Sequence, residues 1–119
     1  MTKRTFFKWE PEPFKEYDCN NLMENYRPAT CNGYVEDFYF GPAGETVTMG
    51  CARKGKRWIV IHVPSGMEVC SHCRTRDEAR FSANWFLRNK AREYAAVLDE
   101  MEKAKDTYML ELIKTPVIA

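Results

Sequence analysis

Hydrophobic positions along this 119-residue chain change their spacing twice. Over the first thirty residues they keep no period. Phe6, Phe7, Trp9, Phe14 and Tyr17 are aromatic without alternation, and Pro11 and Pro13 favour an extended path around Glu12. Asp18 stands where it would cap a short helix through Leu22, Met23 and Tyr26, ended by Pro28. So many aromatics do not suit a free tail; they lie on this fold's own core or on another chain.

From Tyr34 the spacing becomes strand-like. Residues 34–40 are aromatic and bounded by Gly33 and Gly41-Pro42, with Gly44 completing a turn. Residues 46–53 alternate polar and apolar. Lys54-Gly55-Lys56 turns the chain into the strongest strand, residues 57–63, where Ile59, Val60, Ile61 and Val63 are β-branched. Pro64-Ser65-Gly66 is a tight turn, and residues 67–73 form a fourth strand. Consecutive antiparallel pairing makes a meander. Alternation places Ile59, Ile61 and Val63 on one face, expected to meet a helix, and Trp58, Val60 and His62 on the other.

The spacing then becomes helical. Residues 75–114 contain neither Pro nor Gly, open on the capping box Thr75-Arg76-Asp77-Glu78 and are closed by Pro116. Ala79, Ala83, Phe86, Leu87 and Tyr94 form the stripe expected on the sheet. Beyond them Leu87, Tyr94, Met101 and Tyr108 recur every seven residues, and Val97, Leu98, Ala104, Leu112 and Ile113 extend the seam. An unbroken helix of this length would measure roughly 60 Å, against about 35 Å for a compact domain of this size. Either it breaks and folds back under the N-terminal aromatics, or residues 95–113 take a second copy, giving a homodimer, or a foreign partner.

The expected architecture is therefore α+β in a single domain over residues 1–119. An irregular, aromatic-rich segment (1–32) precedes an antiparallel four-stranded β-meander (33–73) packed by one long C-terminal helix (75–114). Hydrophobic content of 45% and aromatic content of 13% support a real core. No apolar run approaches the ~20 residues that span a bilayer, so no membrane role is expected. The basic N-terminus lacks the apolar stretch of a signal peptide. Five cysteines, an odd number, suit a reduced cytoplasmic protein better than a disulfide framework.

The net charge of +1 conceals segregation: residues 1–52 carry −3, residues 53–92 carry +7 and residues 93–111 carry −4. A basic middle between acidic flanks attracts nucleic acid, an acidic protein surface or the acidic tail of a second copy.

Chemistry-bearing motifs are few. Cys70-Ser71-His72-Cys73 has the spacing of a zinc knuckle, to which Cys51, Cys31 or His62 would add ligands. In a regular strand, however, Cys70 and Cys73 point to opposite faces, and small cysteines also simply fill cores. Cys73 lies two residues before the helix cap, where a thiol is modestly acidified. His62 and His72 fall on neighbouring strands but in no nucleophile–base motif. Gly41-Pro42-Ala43-Gly44 is a hairpin turn rather than a phosphate loop. No catalytic residue and no cofactor is assigned, and the expectation is a non-enzymatic binding protein.

The hairpin at Gly55 concentrates positive charge. Arg53, Lys54, Lys56 and Arg57 surround it, Trp58 follows, and Arg74 and Arg76 stand beyond the fourth strand. Cations interleaved with an aromatic neutralise phosphates and stack on bases; lysines in a turn also blunt a sheet edge. The string Gly55-Lys56-Arg57-Trp58-Ile59-Val60-Ile61, then Ser65-Gly66, then Thr75-Arg76-Asp77-Glu78-Ala79, resembles the three-strand-plus-helix layout of AP2-type and integrase arm-type DNA-binding domains, over about residues 46–92. The resemblance implies a sheet face on DNA, through Arg53, Arg57 and Trp58.

In style the chain also resembles small accessory proteins of phages and mobile elements, including inhibitors of host defence. That resemblance implies a factor that binds a host protein or a protein–nucleic acid machine. Binding hot spots favour aromatic residues, so Phe6, Phe7, Trp9, Trp58 and Tyr108 are the expected protein-binding anchors. Nucleic-acid binding through residues 53–76 is the alternative.

Overall fold

The computed structural model describes residues 2–13, 16–39 and 43–114. Among these, five strands form one antiparallel sheet in chain order: β1 (Thr2–Pro11), β2 (Tyr26–Tyr39), β3 (Thr46–Lys54), β4 (Arg57–His62) and β5 (Met67–Cys73). Two helices follow, α1 (Arg76–Asn89) and α2 (Ala95–Lys114). The α+β class and the antiparallel meander are as expected. The sheet has five strands rather than four, and the long helix is two helices.

The extra strand is the segment expected to be irregular. β1 pairs with β2 from Thr2 opposite Val35 to Pro11 opposite Tyr26. Phe6 and Lys8 point to one face of the sheet and Phe7 and Trp9 to the other, and all four are buried. A strand covered on both faces shows a continuous run instead of alternation. The helix expected behind Asp18 is only a 3₁₀ turn, Leu22–Asn25, with Asn21 at its cap position and no side-chain cap. Asp18 and Asn25 instead brace the loop: the Asp18 N–H donates to Asn25 Oδ1 at 2.8 Å, and Asn25 Nδ2 returns to the Asp18 carbonyl at 3.0 Å. Pro28 lies within β2, opposite Trp9. Phe14, Phe40 and the expected turn at Gly41-Pro42 fall outside the described residues, and Tyr17 is exposed.

The sheet coils strongly. β2 serves β1 over residues 26–35 and β3 over residues 33–39. Where the two overlap stands Gly33, at which any Cβ would strike the Cys51 carbonyl. The Phe6 ring lies over Gly50. The sheet's ends consequently draw together: the Trp9 amide donates to the Gly66 carbonyl at 2.8 Å, and Lys8 Nζ reaches Glu68 Oε1 at 3.1 Å.

This curl sets one core cluster inside the coil and two outside it, the smaller of which holds Phe7, Trp9 and Met101. Phe6, Val35, Ala52, Ile59 and Ile61 pack inside the coil. Met49, Cys51, Val60 and Cys73 pack outside it against Ala79, Ala83, Phe86 and Leu87 of α1, with Trp58 at the margin. The expected facing of β4 is thus reversed: Val60 meets the helix, and Ile59 and Ile61 meet Phe6. Both faces of β4 are apolar and both are covered, so alternation could not tell them apart.

Helix α1 begins on the expected cap, with the Glu78 amide donating to Thr75 Oγ1 at 3.1 Å. It ends where the amides of Lys90 and Ala91 share the Phe86 carbonyl, at 2.8 and 2.9 Å. Tyr94, expected in the α1 stripe, lies in the connecting turn. The chain then reverses so that Leu98 joins the α1 core and Met101 seats on Phe7 and Trp9. No straight helix could bury both stripes. The principal extents of 42 × 31 × 29 Å leave no room for one. Of the choices open for residues 95–113, cover within the chain accounts for Val97, Leu98, Met101, Ala104 and Tyr108, whereas Leu110, Leu112 and Ile113 stay exposed.

Candidate binding surfaces

The basic hairpin carries the densest set of sequence-predicted residues, and the sheet sorts them by face. Arg53 pairs with Trp58 across the β3–β4 hairpin. On the same outer face the Trp58 ring stands 6.3 Å from Tyr34, and the Arg76 guanidinium lies 4.7 Å above the Tyr34 ring. Lys3 of β1 is the cross-strand partner of Tyr34. Tyr34 and Trp58 are half-buried, while Lys3, Arg53 and Arg76 are exposed. Sequence reasoning missed Tyr34 and Lys3, because they come from distant strands that only the register brings level.

Lys54 and Arg57 form the next pair and point the other way. With Ile59, Glu68 and Ser71 they line a hollow of about 350 Å³ at the mouth of the coil. Arg57 therefore does not share a face with Arg53 and Trp58. Lys56 occupies the hairpin tip, and Arg74 is exposed between β5 and α1. Among the described residues none of Lys3, Arg53, Lys54, Lys56, Arg57, Arg74 and Arg76 is in an ion pair. Nearby Arg80, by contrast, is held by Glu36 at 2.6 Å.

The acidic helix keeps away from this end. Lys105 of α2 donates to the carbonyls of Val63 and Pro64, at 3.1 and 3.3 Å. Those residues follow the last residue of β4, whereas Arg57 is its first. The strand's length, about 20 Å at the usual rise, separates the basic tip from that anchor.

A second surface lies between β5 and α1. Met67, Val69, Cys70, Ser82, Trp85, Phe86, Lys90 and Tyr94 line a mainly apolar groove of about 550 Å³. Phe81 and Trp85 stand exposed on α1 at 70% and 47%, and Tyr94 at 41%. These were not among the expected anchors. Of those that were, Phe6, Phe7 and Trp9 are core residues, and Tyr108 is half-buried 5.9 Å from the Phe7 ring. Among the five, Trp58 is the one that sits on a surface rich in unpaired charge.

Among the described residues three pairs of groups have catalytic or metal-binding chemistry, one of them the exposed neighbours Ser71 and His72, with Oγ and Nε2 3.3 Å apart. His62 Nδ1 and Ser65 Oγ are 2.7 Å apart, the distance of a nucleophile and its base. Ser65 is wholly buried, its Oγ also takes the Met67 amide at 3.1 Å, and its own amide donates to His62 Nδ1 at 3.3 Å. The pair braces the β4–β5 turn. Burial, with Lys105 nearby, lowers the His62 pKa to about 4 and keeps the imidazole neutral. His62 stands opposite Met67, so it does not pair with His72, which is exposed.

The cysteines depart from the expected geometry. Cys70 and Cys73 were expected on opposite faces, but their sulfurs touch at 3.4 Å. Burial raises both Cys51, to about 11, and Cys73. Cys31 points into the coil and His62 is held by Ser65, so neither joins Cys70 and Cys73. Among the described residues no group of three or more His, Cys, Asp or Glu is placed to hold a metal ion. No helix among them is long and apolar enough to cross a membrane.

Comparison with family models, curated proteins and solved structures finds no match to this chain.

Proposed function

We propose that this chain is a non-enzymatic nucleic-acid-binding protein whose contact surface is the β3–β4 hairpin end of the sheet. The observation that carries this reading is one juxtaposition: the Tyr34–Trp58 pair flanked by Lys3, Arg53 and Arg76, none of these cations in an ion pair among the described residues. Unpaired cations neutralise phosphates, and half-exposed aromatic rings offer bases a stacking surface. Lys54, Lys56 and Arg57 extend the positive field around the tip. The acidic α2, which would repel a polyanion, is held at the far end of β4.

Fluorescence anisotropy with a labelled single-stranded oligonucleotide tests it. Binding through about five phosphates falls roughly a hundredfold between 50 and 200 mM salt. Arg53→Ala/Arg57→Ala flattens that slope, and Trp58→Ala weakens binding by about 1–3 kcal/mol. Absence of binding at low salt overturns the reading.

A second reading is favoured by the groove beside α1. Two exposed aromatics on the lining of an apolar trough, Trp85 and Tyr94, with Phe81 exposed one turn away on α1, are the usual make-up of a protein contact. On this reading the chain is an accessory factor that takes a host protein, or a protein–nucleic acid machine, against Phe81, Trp85 and Tyr94. A partner whose capture survives Phe81→Ala/Trp85→Ala removes it.

A further inference from the structure

Residues three apart in a strand should face opposite ways, yet Cys70 and Cys73 meet. The cause is a bulge. Cys70 pairs with Val60 and Cys73 with Trp58, so Ser71 and His72 together stand opposite Ile59 alone. The additional residue returns both cysteines to the outer face and sets their sulfurs 3.4 Å apart, each a free thiol. A disulfide needs about 2.05 Å between sulfurs, so the two must draw closer for the bond to form.

The two thiols are unequal. Cys70 is half-buried and lines the groove beside α1, open to a small reagent. Cys73 is enclosed behind it, with its Sγ donating to Ser82 Oγ at 3.4 Å. Two of the other thiols stand apart from this arrangement, and the third, Cys51, shares the α1 core with Cys73. Cys19 is exposed on a loop, and Cys31 lies inside the coil.

We propose that Cys70 and Cys73 are a dithiol–disulfide couple, oxidised by small-molecule disulfides of the glutathione type. Cys70 loses its proton to solvent and attacks one sulfur of the reagent. The reagent's S–S bond breaks, a first thiolate leaves and takes up a proton, and Cys70 carries a mixed disulfide. Cys73 then attacks Cys70 Sγ, its proton passing to the departing second thiolate. Burial raises the Cys73 pKa, which keeps it a thiol while Cys70 reacts first. The Ser82 hydroxyl, turned to donate, steadies the Cys73 thiolate in the second step. Two electrons pass from the protein sulfurs to the reagent, which ends as two thiols.

The experiment is exchange with oxidised glutathione on the full chain carrying Cys19→Ser, which removes the exposed thiol from the readout. Intact mass and peptide mapping follow, with alkylation under denaturing conditions. The expected product is lighter than the reduced protein by two hydrogen atoms, with Cys70 joined to Cys73 and with Cys31 and Cys51 alkylated. Adding Cys73→Ser should leave a stable glutathione adduct on Cys70, and adding Cys70→Ser should abolish the reaction. Circular dichroism establishes that each variant is folded; if Cys73→Ser is not, Cys73→Ala replaces it. A lasting adduct on Cys70 with Cys73 present, a disulfide involving Cys51, or no reaction of the folded chain overturns the proposal.

Discussion

Trp9 donates its indole N–H to the main-chain carbonyl of Met101 at 3.3 Å, tying the first strand to the last helix across 92 positions of sequence. The ring also stacks edge-on to Phe7, with centroids 4.9 Å apart. Trp9→Ala removes the floor beneath Met101 and is expected to cost about 3–5 kcal/mol, in the range of buried aromatic deletions. Trp9→Phe keeps most of the packing. Its expected loss beyond the smaller ring is about 1 kcal/mol for the hydrogen bond. Urea denaturation of the two variants checks the ratio.

Removing α2 distinguishes cover within the chain from cover by a second copy. A chain ending at Tyr94 loses Leu98 and Met101, which pack on the α1 core and on Phe7 and Trp9 respectively. Light scattering on this truncation is expected to show aggregates of destabilised protein, because Phe7 and Trp9 become exposed. A well-folded monomer derived from a parent dimer would mean that residues 95–113 serve association.

The buried Lys8 makes an asymmetric prediction. Its ammonium meets Glu68 at 3.1 Å and Glu10 at 3.9 Å, with only 2% of the Lys8 side chain accessible. Replacing a buried charge by an apolar side chain of like shape is often neutral, whereas removing its partner strands the charge. Lys8→Met is expected to lie within about 1 kcal/mol of the parent, and Glu68→Ala to lose about 3 kcal/mol or more. Thermal or urea melts of the two variants decide.

The meander and the start of α1 were legible from local signals: β-branched runs, glycine turns and the capping box at Thr75. β1 was not, because a strand buried on both faces carries no alternation and its Lys8 reads as solvent-facing. The break at residues 90–94 has no Gly or Pro to announce it. It follows from two stripes, Ala79–Leu87 and Leu98–Met101, that can be buried together only if the chain turns back. Most of the basic surface was legible, in the run from Arg53 to Trp58 and in Arg76. Tyr34 and Lys3 required the strand register, and the contact of Cys70 with Cys73 required the bulge.

His62 sets a pH limit on stability. Its folded pKa is lowered to about 4 from an ordinary 6.5, so the unfolded chain takes up a proton that the folded chain refuses. The contribution of the neutral ring is intact above pH 6.5 and is lost progressively as pH falls toward 4, by about 3 kcal/mol at most. Protonation would also remove the Nδ1 acceptor that the Ser65 amide uses. Urea midpoints between pH 7 and pH 4 are expected to fall through this window, and His62→Gln is expected to flatten that part of the profile.

The chain's three tryptophans report on separate places: Trp9 in the core under α2, Trp85 at the groove, and Trp58 at the basic tip. Nitrogen–proton NMR of the labelled protein, titrated with a single-stranded oligonucleotide at low salt, reads all three indoles at once. The expected result is movement of the Trp58 indole together with the amides of Lys3, Tyr34, residues 53–57 and Arg76, while the Trp9 and Trp85 indoles stay still. Movement of Trp85 without Trp58, or a spectrum that does not respond at all, would contradict nucleic-acid binding at the hairpin.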